Sequence, residues 1–193
     1  MAERPMTCAC IIIASQKRER LLNDIIIPSV LAIPFHEVVV VGDYHRGAGY
    51  RYLAVPSLSG TTNDALVKRD VGTLATSAEW LFYLSDDHAV RGVGTTPWHW
   101  LDIGVPTRFC TVEGVRLPLN MGMNPQDPNA PYCPGHAGLF NRKLIQLHPW
   151  SSQPHDRLWD LLSSRSLVAF GARLGCQIGW EIEDMETDAK PWL

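Results

Sequence analysis

EWLFYLSDDHAV, residues 79–90, decides how the rest of this chain is read. A short apolar run, Trp80-Leu81-Phe82-Tyr83-Leu84, stops abruptly at Ser85-Asp86-Asp87-His88. The length and aromatic content of the run predict a buried strand. Two carboxylates and an imidazole then fall where that strand leaves the core, the edge at which open α/β sheets bind ligands. Adjacent carboxylates repel, so keeping both ionised calls for a cation or strong hydrogen bonding. A divalent metal with a phosphate-bearing substrate answers that need. Asp86 and Asp87 are equally suited to a turn or a helix cap, and the motif alone leaves both readings open.

The segments before this stretch repeat one pattern. Thr7–Ala14 (TCACIIIA) predicts a buried strand, and Ser15-Gln16-Lys17-Arg18 a polar turn. Apolar residues at helical spacing predict a helix over 19–31, with Pro28 as its kink or end. Glu37–Val41 (EVVVV) is a second continuous apolar strand, closed by Gly42-Asp43. A short strand is expected over 50–55 and a helix over 63–78, with Thr62 or Asn63 as its N-cap. Strand–helix alternation with continuously apolar strands implies a parallel sheet covered on both faces. The fold class expected is therefore α/β, Rossmann-like.

After residue 90 the pattern loosens. Residues 91–134 are rich in Gly and Pro with only short apolar runs, such as Phe109–Val112, and read as loops and short strands extending the sheet. Ala137–Gln146 is apolar, then basic. Residues 158–174 have helical spacing, Gln177–Trp180 reads as a last short strand, and Glu181–Leu193 as an acidic tail.

The totals exclude several classes. At 193 residues with 46% hydrophobic and 19% charged residues, the chain has the size and composition of one globular domain. A net charge of −3 argues against a generally basic nucleic-acid surface. Cys8, Cys10, Cys110, Cys133 and Cys176 lack zinc-type spacing and read as reduced core residues. No apolar run reaches the roughly 20 residues of a membrane span, and the apolar start is too short for a signal peptide, so a cytoplasmic protein is expected.

KRDVG (Lys68–Gly72), one helix before LFYLSDDH, adds a resemblance. This order is similar to the nucleotide-sugar half of GT-A fold glycosyltransferases of the family 2 type. Those proteins carry an ARNxG-like segment before a strand ending in an acidic DxD-type motif. Asp70 stands where the family usually has Asn, and Ser85 where its first carboxylate often stands. More loosely, PGHAGLFNRK (Pro134–Lys143) resembles the family's acceptor-side segment, and Asp156-Arg157-Leu158-Trp159-Asp160 its acidic motif before a helix. The resemblance implies a single GT-A domain over 1–193, mixed but mostly parallel, with the donor half at 7–90 and the acceptor half at 91–193.

The activity so implied is transfer of a sugar from a nucleotide-diphosphate sugar, a UDP-sugar first, to a glycan or other hydroxyl acceptor with inversion. Ser15, Gln16, Arg18, Asp43, Lys68, Asp70 and Asp86 would contact the donor. Asp87 would bind the metal, Mn2+ or Mg2+, with His88 as a second ligand in a D-x-H reading that suits manganese. Asp156, or Asp160, would take the acceptor's proton. His136 and Trp159 would meet the acceptor. Trp98, Trp100 and Trp150 are open between sugar stacking and core. The alternatives are a sugar nucleotidyltransferase, which would want a glycine-rich phosphate loop where SQKRER has none, and a non-catalytic nucleotide- or sugar-binding domain.

Overall fold

A computed structural model describes residues 7–15, 18–43, 47–57, 62–93, 107–110, 115–116, 137–152, 173–176 and 180–185. Its centre is a seven-stranded sheet in the order β3-β2-β1-β4-β8-β6-β9. The strands are β1 (Cys8–Ala14), β2 (Glu37–Gly42), β3 (Arg51–Ala54), β4 (Trp80–Ser85), β6 (Thr107–Cys110), β8 (Ala137–Asn141) and β9 (Arg173–Cys176). Pairings are parallel except those of β8, which runs antiparallel to both β4 and β6. A second sheet places β10 (Trp180–Asp184) between β5 (His88–Val93) and β7 (Val115–Arg116). The mixed, mostly parallel α/β architecture matches the expected fold class.

Every residue of β1 is buried, as its unbroken apolar sequence requires. Strand alternation sends its side chains to two cores. Cys8, Cys10, Ile12 and Ala14 join the helical segment 19–31 and Phe82, Leu84, Ala89 and Met185 on one face. Ala9, Ile11 and Ile13 join Leu66, Tyr83, Phe140 and Trp150 on the other. Each fully buried Ile or Leu in these layers contributes about 1.5–3 kcal/mol relative to exposure. Cys8 and Cys10 are free thiols, and burial pushes both pKa values up.

The helical segment after β1 has three parts: α1 (Glu19–Leu21), a π-helical turn (Leu22–Ile26) and α2 (Ile27–Leu31). Pro28 neither ends nor breaks it. Proline cannot donate to the carbonyl four residues back, and its ring crowds that carbonyl. The wider π turn just before it accommodates both effects.

Helix α3 (Thr62–Ala75) packs on β1 and β2 and stops three residues short of the expected end. There the Thr76 hydroxyl accepts from the Ala78 N–H at 3.1 Å, a local bond that turns the chain into β4. Its approach to the sheet depends on Gly72, where a Cβ would lie 2.4 Å from Ile11 Cγ2. Gly42 has a similar task, since a Cβ there would lie 2.6 Å from the Ala14 carbonyl oxygen. The apolar-then-basic segment becomes β8 followed by α4 (Arg142–Leu147), whose N-cap Asn141 accepts from the Lys143 N–H at 3.0 Å.

The C-terminal expectations change. Arg173 and Leu174, assigned above to the end of a helical pattern, lie in β9, while residues 153–172 lie outside the described residues. Among the described residues the last strand is Trp180–Asp184, so the supposed acidic tail begins as the middle strand of the small sheet, while residues 177–179 of the expected strand lie outside the described residues. Apolar Trp180 and Ile182 alternate with Glu181 and Glu183, the period-two pattern of a strand. The acidic count obscured it.

Candidate donor site at the strand ends

Parallel pairing brings the decisive residues to one edge. In register, Ala14 lies beside Gly42, and Ile13 beside Ser85. The residues just beyond, Ser15, Asp43 and Asp86, therefore emerge together at the carboxyl ends of β1, β2 and β4. This is the edge where open α/β sheets take ligands.

Asp86 and Asp87 form the turn between β4 and β5. The turn reading of these residues is thus correct as geometry, but the carboxylates do more than turn the chain. Asp86 is 4% exposed. Its Oδ2 accepts the Ser15 N–H at 2.5 Å, and its Oδ1 accepts Arg18 Nη1 at 2.8 Å. The other arm of the Arg18 fork, Nη2, lies 3.6 Å from Asp87 Oδ2. One guanidinium therefore faces both carboxylates, which offsets their mutual repulsion. His88 is buried, and its Nδ1 lies 2.5 Å from Asp87 Oδ1. Met185 N–H donates to the Asp87 carbonyl at 2.7 Å, tying the turn to the end of β10.

Among the described residues no three His, Cys, Asp or Glu side chains converge as a metal-binding group. Asp86 is committed to Ser15 and Arg18. The Asp87 side chain keeps 18% of its surface exposed, against 4% for His88. A cation here would take Asp87 as its protein carboxylate and draw its other ligands from phosphate oxygens and water, as nucleotide-bound Mg2+ commonly does. In this arrangement His88 orients Asp87 from behind.

A second cluster lies along the same edge. Asp43 accepts the Ser57 N–H on Oδ1, and the Ser57 hydroxyl at 2.8 Å and Lys68 Nζ at 3.2 Å on Oδ2. Lys68 Nζ also donates to Ser57 Oγ at 2.9 Å and to the Ala14 carbonyl at 3.1 Å. Burial pulls the Asp43 pKa up, but the Ser57 hydroxyl and N–H and the Lys68 ammonium outweigh it and hold the carboxyl below the usual range.

The three consecutive residues Lys68, Arg69 and Asp70 point three ways. Lys68 reaches the Asp43 edge. Arg69 is 2% exposed and lies against the rings of Tyr83 and Trp150, 6.0 and 5.7 Å from their centroids. Asp70 accepts the N–H groups of Trp150 and Ser151 at 2.7 and 2.8 Å, holding the short helix Trp150–Ser152 against α3. The Asp70 carboxylate thus bonds away from the Asp43 and Asp86 clusters. Trp150 is core, edge-on to Tyr83 and Phe140.

Of the residues singled out in the sequence, Ser15, Arg18, Asp86, Asp87 and His88 come together in one group, and Asp43 with Lys68 in another. Gln16, His136, Asp156, Trp159, Asp160, Trp98 and Trp100 lie outside the described residues. Ser57 escaped the sequence reading. Its signal was available in outline, since a strand over 51–54 parallel to β2 puts the residues after Ala54 at this edge.

The chain as a whole has structural relatives among solved structures. Residues 1–349 of TarS from S. aureus superpose with a TM-score of 0.57 at 12% identity, over 91% of this chain and 60% of that one. The same TarS fragment in complex with UDP-GlcNAc gives 0.58 at 11% identity, over 94% and 61%. The fold is GT-A. A further TarS structure gives 0.57 at 13% identity, over 91% of this chain and 36% of that one. The GT-A chain described here thus spans less than two thirds of each of these proteins. No protein-family model and no curated protein sequence matches it. None of its described helices is long and apolar enough to cross a membrane.

Proposed function

We propose that this protein is a glycosyltransferase that moves a sugar from a nucleoside-diphosphate sugar, a UDP-sugar first, to an acceptor hydroxyl with inversion. The observation that carries this reading is the joint emergence of Ser15 with Arg18, Asp43, and Asp86 with Asp87 from three parallel strand ends of a GT-A sheet. A TarS structure of the same fold holds UDP-GlcNAc.

The residues divide the work. Asp43, held ionised, accepts a nucleoside N–H or hydroxyl. Uracil and guanine each offer a ring N–H to such an acceptor, whereas cytosine and adenine present a lone pair there. Hydrogen bonds to a charged group contribute about 1.5–3 kcal/mol, so UDP and GDP should bind roughly tenfold or more tightly than CDP and ADP. Arg18, with 30% of its side chain exposed, is near enough to both aspartates to meet a diphosphate oxygen at the mouth of the site. Asp87 would be the protein ligand of a divalent cation, Mn2+ or Mg2+, with His88 orienting its carboxylate. Such a cation would neutralise charge that builds on the departing diphosphate. The acceptor's proton goes to Asp156, with Asp160 the second choice.

Thermal unfolding with UDP and GDP, with and without Mn2+, tests this reading. Stabilisation that depends on the metal is expected, and its absence for every nucleoside diphosphate would overturn the proposal. UDP-sugar hydrolysis without an acceptor, lost in Asp87→Ala, would distinguish an enzyme from a binder.

A further inference from the structure

Lys68 is the most buried of the charged groups at the strand ends, with 4% of its side chain exposed against 17% for Asp43. An ammonium has three N–H donors and no acceptor. Here three acceptors surround it: the Ala14 carbonyl at 3.1 Å, Asp43 Oδ2 at 3.2 Å and Ser57 Oγ at 2.9 Å. Its donors are used up inside the protein. Ser57 Oγ accepts one of them and donates its own O–H to Asp43 Oδ2, while the Ser57 N–H donates to Oδ1.

A carboxylate has about four lone-pair sites. Two partners meet Oδ2 and one meets Oδ1, so one acceptor site is left, on Oδ1 of the more exposed residue. The cluster also explains the chain around it. Gly72 sits one helical turn after Lys68, and its missing side chain lets α3 approach β1 closely enough for the ammonium to reach the Ala14 carbonyl. Gly42 keeps Asp43 beside that same carbonyl.

We propose that Lys68 and Ser57 are positioning residues that lock Asp43 in one rotamer with a single acceptor site turned to the donor's nucleoside, and that Lys68 itself does not touch the donor. The proposal rests on the nucleotide-sugar reading above. A flexible carboxylate would bond its ligand only after giving up rotamer freedom. One already fixed by three hydrogen-bond partners binds without that cost. The serine is the less obvious member, because a local Pro-Ser pair after a short strand reads as an ordinary loop.

The test is a double-mutant cycle. Wild type, Lys68→Met, Asp43→Asn and the double variant are titrated calorimetrically with UDP and, separately, with inorganic pyrophosphate, each with Mg2+. Lys68→Met and Asp43→Asn should each weaken UDP about tenfold, the loss of one hydrogen bond to a charged group. The double variant should be no weaker than Asp43→Asn alone, and pyrophosphate affinity should stay the same in all four. Ser57→Ala, which removes one hydroxyl and keeps the buried ion pair, gives the same readout if Lys68→Met fails to fold. It should weaken UDP in the wild-type background and not in Asp43→Asn.

Additive losses in the cycle would mean that Lys68 meets the donor directly, and would overturn the proposal. So would a parallel loss of pyrophosphate binding, or UDP affinity unchanged by both Lys68→Met and Ser57→Ala. A wild type that binds neither UDP nor GDP overturns the functional reading, and this inference with it. Binding with an additive cycle overturns the inference alone.

Discussion

Arg18 donates to Asp86 at 2.8 Å across 68 positions of sequence, fastening the turn after β1 to the end of β4. The bond satisfies a carboxylate that has only 5% of its side chain exposed. Removing the guanidinium leaves that charge with the Ser15 N–H as its remaining partner in this cluster. Arg18→Gln should therefore cost about 1–3 kcal/mol, well above the range of an exposed ion pair. Urea unfolding at neutral pH measures it. Arg18→Lys should recover only part, because an ammonium lacks the fork that faces both aspartates. A midpoint unchanged by Arg18→Gln would mean that the pair is not formed in solution.

Asp43 makes stability depend on pH in the acid range. Its folded pKa is lowered, so the folded protein binds that proton less readily than the unfolded chain. The resulting stabilisation is complete above the ordinary aspartate value of 3.8 and is lost as pH falls through the lowered folded value. Comparing wild type with Asp43→Asn by urea midpoint between pH 7 and pH 3 should show a difference that closes below about pH 4. In Lys68→Met the difference should be smaller and should finish closing at a higher pH, since one cause of the lowering is gone.

Asp70 should separate from the donor site when tested. Its carboxylate caps two N–H groups of the Trp150–Ser152 helix, so Asp70→Ala should cost about 0.5–2 kcal/mol, the range for losing a cap. UDP affinity, measured by calorimetry, should stay within twofold of wild type. A selective loss of UDP binding at unchanged stability would put Asp70 in the donor site.

Gly72→Ala sets two effects against each other. Alanine gains up to about 1 kcal/mol of helix propensity over glycine. The new Cβ would stand 2.4 Å from Ile11 Cγ2, in a layer where Ile11 is fully buried. Overpacking of this kind costs about 1–3 kcal/mol, so the net change should be destabilising. Thermal unfolding decides it, and a raised Tm would show that α3 can step back from β1.

Much of the fold was legible. The unbroken runs of β1, β2 and β4 are short and apolar throughout, the pattern of central parallel strands. The C-terminal part was harder to read. WEIED is a strand by alternation but reads as a charged tail by composition, and its pairing with β5 and β7 depends on residues 67 or more positions away that no local pattern points to. Trp150 was ambiguous in the sequence because an indole serves a sugar or a core equally well. Only its contacts with Tyr83 and Phe140 distinguish the two.

The sequence by itself determined which strands are central and that their polar ends carry Ser15, Asp43 and the two aspartates. Tertiary structure decided which side chain answers which. Strand and helix signals are local, written in periods of two and 3.6 residues. The bonds that make the site are not, since Lys68 meets Asp43 across 25 positions and Ser15 meets Asp86 across 71. Such partners are chosen by sheet register and by how closely α3 approaches β1. That is why Lys68, Arg69 and Asp70, three neighbours in the chain, end at the Asp43 cluster, an aromatic core and a helix cap.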